Sequence, residues 1–190
     1  MDPRYEFRAF TDDFGNTEKL MQDLSPVPLI RESKEIYIVS SKTNTHNTKI
    51  RYDLMDIKAL IKTEKGLEQW KPVLKAEFPL DDQLILDRLF PAFNTPASEI
   101  VQQNYSLSEF ITLIVNPHPD LRAVDVKKKR RGFMVNNCIC EMADVWIDGK
   151  KIRTAAVEST VIQDVIDTLA ILKLDSYPNT NYLRGIKQTI

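Results

Sequence analysis

Four segments of the chain alternate between charged and mostly apolar residues, and this pattern constrains the fold more than any other feature. The segments are Lys49–Leu54, Asp56–Lys62, Trp70–Glu77 and Val124–Arg131. Because successive side chains of a β-strand point to opposite faces, each segment predicts a strand with one charged face. A solvated outer face is the ordinary explanation of any one such strand. The repeated clustering of Lys and Arg in a chain of formal net charge −1 indicates that these faces converge on a polyanion site.

Length and composition limit the class of protein. We expect a single domain over residues 1–190, which is long enough to bury a substantial core. The near-zero net charge argues against non-specific nucleic-acid binding, and no apolar run reaches the roughly 18 residues of a membrane span. The chain starts with no apolar signal segment, so we expect a cytoplasmic protein. Cys138 and Cys140 are expected to be packed thiols, because cysteines at this spacing would form a strained disulfide.

The rest of the pattern predicts eight mostly antiparallel strands, with helices inserted between the fifth and the sixth. The strands are expected near residues 5–10, 35–40, 48–54, 56–62, 69–77, 121–131, 134–146 and 151–159. Asp81 and Ser106 are placed to cap helices, and Glu109 completes a capping box with Ser106. Two further helices are expected over Thr17–Leu24 and Thr160–Leu172, the second capped by Thr160. This is an α+β fold, a closed or strongly bent barrel with helices packed outside.

Charged faces that point into such a barrel have a physical consequence. Buried charges are costly unless they have partners, so the interior must be open and wet and must hold counter-charges. Carboxylates on predicted strands supply them: Glu6, Glu35, Asp53, Asp56, Glu141 and Glu158. The basic run Lys127–Arg131 does not indicate a nucleic-acid patch, because strand alternation divides it between two faces.

Short motifs spread over most of the chain carry a resemblance to a known family. They are Lys49-Ile50-Arg51, Asp56-Ile57-Lys58, the pair Lys129 and Arg131, the segment Cys140 to Val145 followed by Glu158, and Ser176-Tyr177 followed by Tyr182-Leu183. In this order and spacing the chain resembles the CYTH superfamily, the triphosphate tunnel enzymes that include thiamine triphosphatases, inorganic triphosphatases and class IV adenylate cyclases. The resemblance implies a barrel that binds a small phosphorylated or polyphosphate anion.

The resemblance also implies the roles of individual side chains. Basic residues would hold the phosphates, since Arg can donate to two oxygens at once, and carboxylates would hold Mg²⁺ or Mn²⁺. The candidate phosphate-binding residues are Arg8, Lys49, Arg51, Lys58, Lys71, Lys75, Lys129 and Arg131. The candidate metal ligands are Glu6, Glu141 and Glu158. Glu141 and Asp144 fall on opposite faces of their strand, so only one of them is expected to point inward.

Two departures from the family's pattern concern the metal ligands. The first-strand signature of the family is Glu-x-Glu-x-Lys, and its counterpart Glu6-Phe7-Arg8-Ala9-Phe10 keeps only the first Glu. Ala156 stands where the first residue of a late Glu-x-Glu pair is expected, so that only Glu158 remains. The phosphate-binding residues are therefore better preserved than the metal ligands.

Three hypotheses about function follow. In the first, the protein is a metal-dependent phosphohydrolase that acts on a triphosphate, a short polyphosphate or a nucleotide. In the second, it is a non-catalytic phosphoanion-binding or sensor module, which the carboxylates missing at positions 8 and 156 favour. In the third, it is a structural or partner-binding domain whose charges pair internally and which binds no anion. The sequence does not identify a catalytic residue.

Overall fold

Ten strands account for most of the secondary structure in a computed structural model of the chain, which describes residues 2–25 and 28–190. They are β1 (Arg4–Thr11), β2 (Leu29–Ser40), β3 (His46–Arg51), β4 (Leu54–Glu64), β5 (Leu67–Glu77), β6 (Leu80–Asp81), β7 (Asn104–Tyr105), β8 (Leu121–Val135), β9 (Cys138–Ile147) and β10 (Lys150–Ser159). Eight of them form a closed antiparallel barrel in the order β1-β10-β9-β8-β2-β3-β4-β5, and β6 and β7 pair separately. The expected α+β barrel is confirmed.

The helical segments are short, and two of them are π-helical. They are α1 (Thr17–Leu24), α2 (Asp82–Leu84), π1 (Ile85–Leu89), α3 (Phe90–Phe93), α4 (Leu107–Glu109), π2 (Phe110–Val115), α5 (Ile162–Ile171) and α6 (Tyr182–Thr189). The helices from α2 to π2 lie between the fifth and sixth barrel strands in sequence, as expected. The predicted bounds of α1 are confirmed.

Helix caps agree with the sequence in two places and differ in a third. The carboxylate of Asp81 accepts a hydrogen bond from the backbone N–H of Leu84, and Ser106 forms the expected capping box with Glu109. The predicted cap at Thr160 is wrong. Helix α5 begins at Ile162, after Val161, and the backbone N–H of Val161 donates to the hydroxyl of Ser159.

Turn geometry corrects one of the alternating segments. Tyr52 and Asp53 connect β3 to β4 with φ angles of 52° and 55°, so β3 ends at Arg51. The expectation of one alternating strand through Leu54 was wrong, because the Tyr52 side chain belongs to the turn and is exposed. Asp148 and Gly149 form the turn between β9 and β10, with positive φ at both residues.

Contacts between Cα atoms divide the chain into two compact units. Unit 1 comprises the described residues of Met1–Lys34, Leu60–Lys71 and Val126–Ile190. Unit 2 comprises Glu35–Ala59 and Pro72–Asp125. The expectation of one domain over residues 1–190 stays a prediction.

Each unit has its own apolar core beneath helices. In unit 1, α1 and α5 pack on the face of the sheet that carries Phe7, Cys140 and Val157. Cys138 and Cys140 are free thiols buried in this core, as expected. In unit 2, Ile50 and Ile57 pack with the helical segments that follow β6. The residues between these apolar positions therefore share the opposite face of each strand.

Candidate functional site

A cluster of charged side chains occupies the face of β2, β3 and β4 that turns away from the core of unit 2. This unit-2 basic cluster consists of Glu35, Lys49, Arg51, Asp56 and Lys58. The β3–β4 register places Lys49 directly opposite Asp56, and Lys58 opposite Asn47. Cross-strand neighbours have Cβ atoms about 4.5–5.5 Å apart, so the sheet itself brings these charges together. Three cations face two carboxylates.

The ion pairs in this cluster are long. The ammonium of Lys49 lies 3.9 Å from a carboxylate oxygen of Asp56, and the guanidinium of Arg51 lies 3.7 Å from a carboxylate oxygen of Glu35. Hydrogen bonds between N and O atoms are normally 2.7–3.2 Å long. Lys49 and Arg51 are therefore held near opposite charges at distances that leave their N–H groups able to donate to a ligand.

Burial sets the electrostatics of Lys49. Burial lowers the pKa of Lys49, and the nearby carboxylates of Glu35 and Asp56 oppose this effect only in part. The positive charges of Lys58 and Arg51 lower the pKa of Lys49 further. The cluster thus holds cations that repel one another in a partly desolvated place, and an added anion would relieve that repulsion.

A row of carboxylates crosses the corresponding face of unit 1. Glu6 on β1 lies opposite Glu68 on β5 and opposite Glu158 on β10. Like charges directly opposite in a sheet are destabilising. Each carboxylate pairs with its own guanidinium: Arg184 contacts Glu68, Arg8 contacts Glu6, and Arg4 lies 3.5 Å from Glu158.

Arg8 is the most enclosed of these cations. It lies opposite Ala156 on β10, and Ala156 in turn lies opposite Glu141 on β9. The guanidinium reaches over this small residue, so that its Nε is 2.9 Å from Glu6 and its Nη1 is 3.3 Å from Glu141. The Arg8 side chain is only 6% exposed. The two positions that depart from the family's pattern are thus cross-strand partners.

Further contacts fix the Arg8 guanidinium in place. Its Nη1 also donates to the hydroxyl of Thr154 at 3.3 Å, and its centre lies 4.5 Å from the ring centroid of Tyr182 on α6. Burial acts to lower the pKa of Arg8, but the charges of Glu6 and Glu141 contribute to an opposing effect that is larger, so the pKa lies well above its ordinary value. Arg8 is a permanent cation between two carboxylates.

The proposed metal ligands do not fit a divalent cation as they are arranged. Oε1 of Glu6 and Oε1 of Glu141 both accept hydrogen bonds from Arg8, so the space between these carboxylates holds a guanidinium. Among residues 2–25 and 28–190, no three His, Cys, Asp or Glu side chains are grouped so as to hold a metal ion. Of the predicted pair on β9, Glu141 lies on the face of the unit-1 sheet that carries Arg8, which we call the Arg8 face. Asp144 lies on the other face, bonded to Arg131.

The structure places Lys129 and Arg131 away from the Arg8 face, which corrects our expectation that they face inward. Arg131 contacts Glu18 on α1 and Asp144 on β9, and Lys129 lies 3.8 Å from Glu32. These side chains share the face of β8 that α1 covers. Alternation puts Lys128 on the opposite face, where its ammonium lies 3.9 Å from the ring centroid of Tyr182.

Two other predicted residues lie on the surface. Lys71 and Lys75 on β5 are exposed, which is the ordinary solvated face of a strand. The sequence reasoning missed Lys128, although it follows the buried Val124 and Val126 at strand spacing. It also missed Glu68 and Arg184, and it named Tyr182 only as part of a motif. Their contacts depend on how α6 packs, and no local pattern in the sequence indicates that packing.

Comparisons with solved structures identify the fold. The chain is similar to a candidate adenylyl cyclase from Hippeastrum that is described as having a dominant triphosphatase activity, with 13% identity, 98% of this chain and 96% of that chain covered, and a TM-score of 0.55. It is also similar to a candidate adenylate cyclase from Bacillus halodurans, with 11% identity, coverage of 97% and 98%, and a TM-score of 0.53. A conserved hypothetical protein from Pyrococcus furiosus matches with 12% identity, coverage of 95% and 98%, and a TM-score of 0.52.

These neighbours share the fold over almost the whole of both chains. The fold that the resemblance to the CYTH superfamily implied is therefore confirmed, while the roles of individual residues stay predictions. No family model and no curated protein sequence matches the chain. Within the part of the chain that the structure describes, none of the helices has the length and apolar character needed to cross a membrane.

Proposed function

We propose that this protein binds a small phosphorylated or polyphosphate anion through the unit-2 basic cluster, and that it does so as a binding module. The observation that carries the proposal is the surplus of cations on one face, where Lys49, Arg51 and Lys58 accompany two carboxylates. The fold shared with a protein described as a triphosphatase agrees with a phosphate-containing ligand.

The loose pairing of the cluster supports this proposal over a purely structural role. Arg131 and Arg153, on the helix-packed face of unit 1, contact Glu18 at hydrogen-bonding distance, as expected of structural ion pairs. Arg51 has no such close contact with Glu35, from which it lies 3.7 Å away. A phosphate oxygen offers a guanidinium the short, charge-assisted hydrogen bonds that this carboxylate does not supply.

Partial burial strengthens the expected interaction. The side chains of Lys49 and Asp56 are 21% and 18% exposed, and that of Glu35 is fully buried. Electrostatic attraction is weaker in bulk water than in such a partly desolvated place. An anion at this cluster would also favour the charged form of Lys49, whose pKa is lowered by burial.

A phosphohydrolase that uses Mg²⁺ or Mn²⁺ is the second candidate. The triphosphatase activity described for the Hippeastrum protein favours it. Metal-assisted phosphoryl transfer needs oxygen ligands that hold the ion. The contacts of Arg8 with Glu6 and Glu141, and of Arg4 with Glu158, argue against it. We therefore propose binding without turnover.

Thermal unfolding with and without tripolyphosphate tests the proposal. A ligand that binds only the native state raises the melting temperature. We expect tripolyphosphate to raise Tm in the presence of EDTA, with sulfate at equal ionic strength as the control for screening. An unchanged Tm would contradict the proposal. Phosphate release from tripolyphosphate or ATP, assayed with Mg²⁺ and with Mn²⁺, separates the two candidates, because turnover with either metal would establish the hydrolase.

A further inference from the structure

We propose that the guanidinium of Arg8 replaces a divalent cation among the carboxylates of unit 1, so that this face needs no metal ion. Glu6 and Glu141 are the two carboxylates that Arg8 joins, at 2.9 Å and 3.3 Å. This inference concerns the unit-1 face alone and does not depend on whether an anion binds to the unit-2 basic cluster.

Register supports the inference. Arg8, Ala156 and Glu141 lie in one row across β1, β10 and β9. A larger residue at position 156 would stand between Arg8 and Glu141, because directly opposite side chains are in contact range. Ala156 is buried, and its single methyl group leaves room for the contact between Arg8 and Glu141. Arg8 therefore supplies the cation, and the small side chain of Ala156 leaves the space through which Arg8 reaches Glu141.

Charge balance gives the physical reason. Glu6 and Glu158 are cross-strand partners whose carboxylates would repel each other without nearby cations. Mg²⁺ or Mn²⁺ neutralises such carboxylates by accepting their oxygens as ligands. A guanidinium neutralises them by donating N–H groups, and it cannot dissociate, because it is part of the chain. Thr154 and the Tyr182 ring hold it in place.

Manganese binding, followed by electron paramagnetic resonance, tests this inference. We expect the wild-type protein to leave the signal of free Mn²⁺ unchanged, and its Tm to be equal in EDTA and in Mn²⁺. Arg8→Glu would place a third carboxylate beside Glu6 and Glu141, and we expect that variant to bind Mn²⁺ with a Kd at least about tenfold below the highest Mn²⁺ concentration at which the wild type leaves the free signal unchanged. Arg8→Glu combined with Glu141→Gln is the matched control, and it should lose most of this gain.

Each outcome bears on the proposal. Arg8→Glu that folds only in the presence of Mn²⁺ supports it, and Arg8→Glu that folds without binding Mn²⁺ contradicts it. Where Arg8→Glu fails to fold in either condition, Arg8→Ala serves as the second variant, with a Tm that rises in Mn²⁺ as the expected result and an unresponsive Tm as the contrary one. Wild-type protein that binds Mn²⁺, with the binding lost in Glu6→Gln, overturns the inference outright.

Discussion

Arg8 and Glu141 are 133 positions apart in the chain, and their side chains form a hydrogen bond 3.3 Å long across the intervening strand β10. The contact exists because Ala156, between them, has almost no side chain. A guanidinium thus lies where carboxylates face one another, while the loosely paired cations lie in unit 2. The two clusters therefore differ in how their charges are paired. In unit 1, close contacts with guanidinium groups neutralise the carboxylates. In unit 2, the cations can still donate hydrogen bonds to a ligand.

Asp56 limits how strongly an anion can bind, and its removal should increase affinity. Its carboxylate lies 3.9 Å from the ammonium of Lys49 and repels any phosphate bound there. We expect Asp56→Asn, which keeps the shape of the side chain, to tighten tripolyphosphate binding on the order of fivefold, equivalent to ~1 kcal/mol. Isothermal titration calorimetry measures this. Unchanged or weaker binding would indicate that the anion does not lie near Lys49.

The lowered pKa of Lys49 predicts how the stability of the protein depends on pH in the alkaline range. Burial lowers its pKa in the folded protein below the 10.5 of an exposed lysine. Between the two pKa values the unfolded chain binds more protons at this position, so the native state gains stability as pH rises through that window. We expect the free energy of unfolding of the wild type, relative to Lys49→Met, to increase as pH rises toward 10.5 and to level off above it.

Denaturant unfolding of the two proteins across this range measures the difference directly. Groups common to both chains cancel in the comparison, which isolates position 49. A difference that stays constant, or that falls as pH rises, would contradict the buried position of the Lys49 ammonium.

Cys138 and Cys140 should not react with thiol reagents in the folded protein. Both thiols are buried in the core of unit 1, and burial raises the pKa of Cys140 to about 12. Only the thiolate is nucleophilic, so both access and chemistry oppose the reaction. We expect Ellman's reagent to detect no thiol in the native protein and both thiols after unfolding in guanidinium chloride. Rapid modification of the native protein would show that this core is open.

Gly185 allows α6 to lie against β1. A Cβ atom placed on Gly185 would come within 2.5 Å of the ring of Phe10. We expect Gly185→Ala to lower the free energy of unfolding by about 1–3 kcal/mol, the usual cost of overpacking. At Gly132 the nearest atom to an added Cβ is 3.6 Å away, so Gly132→Ala is the matched control and should have little effect. Thermal denaturation of both variants tests the position of α6.

Much of this fold could be predicted from the sequence because strand alternation is a local signal. Alternation located four of the strands directly, and the caps Asp81 and Ser106 placed the helices between β5 and β8. It did not predict the end of β3, because Tyr52 looks apolar in a strand but has positive φ in the turn. The fold could therefore be predicted from the sequence wherever the local pattern and the tertiary packing agree.

The face of β8 could not be chosen from sequence alone. Both alternating sets of this strand contain cations, Lys129 and Arg131 on one side and Lys128 and Arg130 on the other. The choice is made by Glu18 on α1 and by Asp144 on β9, which contact Arg131 from distant parts of the chain. For the same reason the contact of Arg8 with Glu141 was not predictable, since it depends on the register of three strands.

Calorimetric titration with tripolyphosphate in EDTA measures whether the unit-2 basic cluster binds a phosphate-containing anion. A charge-assisted hydrogen bond contributes about 1.5–3 kcal/mol, so Arg51→Ala should weaken binding about tenfold or more. Arg131→Ala, which removes a guanidinium bonded to Glu18 and Asp144, is the control and should leave the affinity unchanged. Equal affinities for the wild type and Arg51→Ala, or no heat of binding with the wild type, would contradict binding at this cluster.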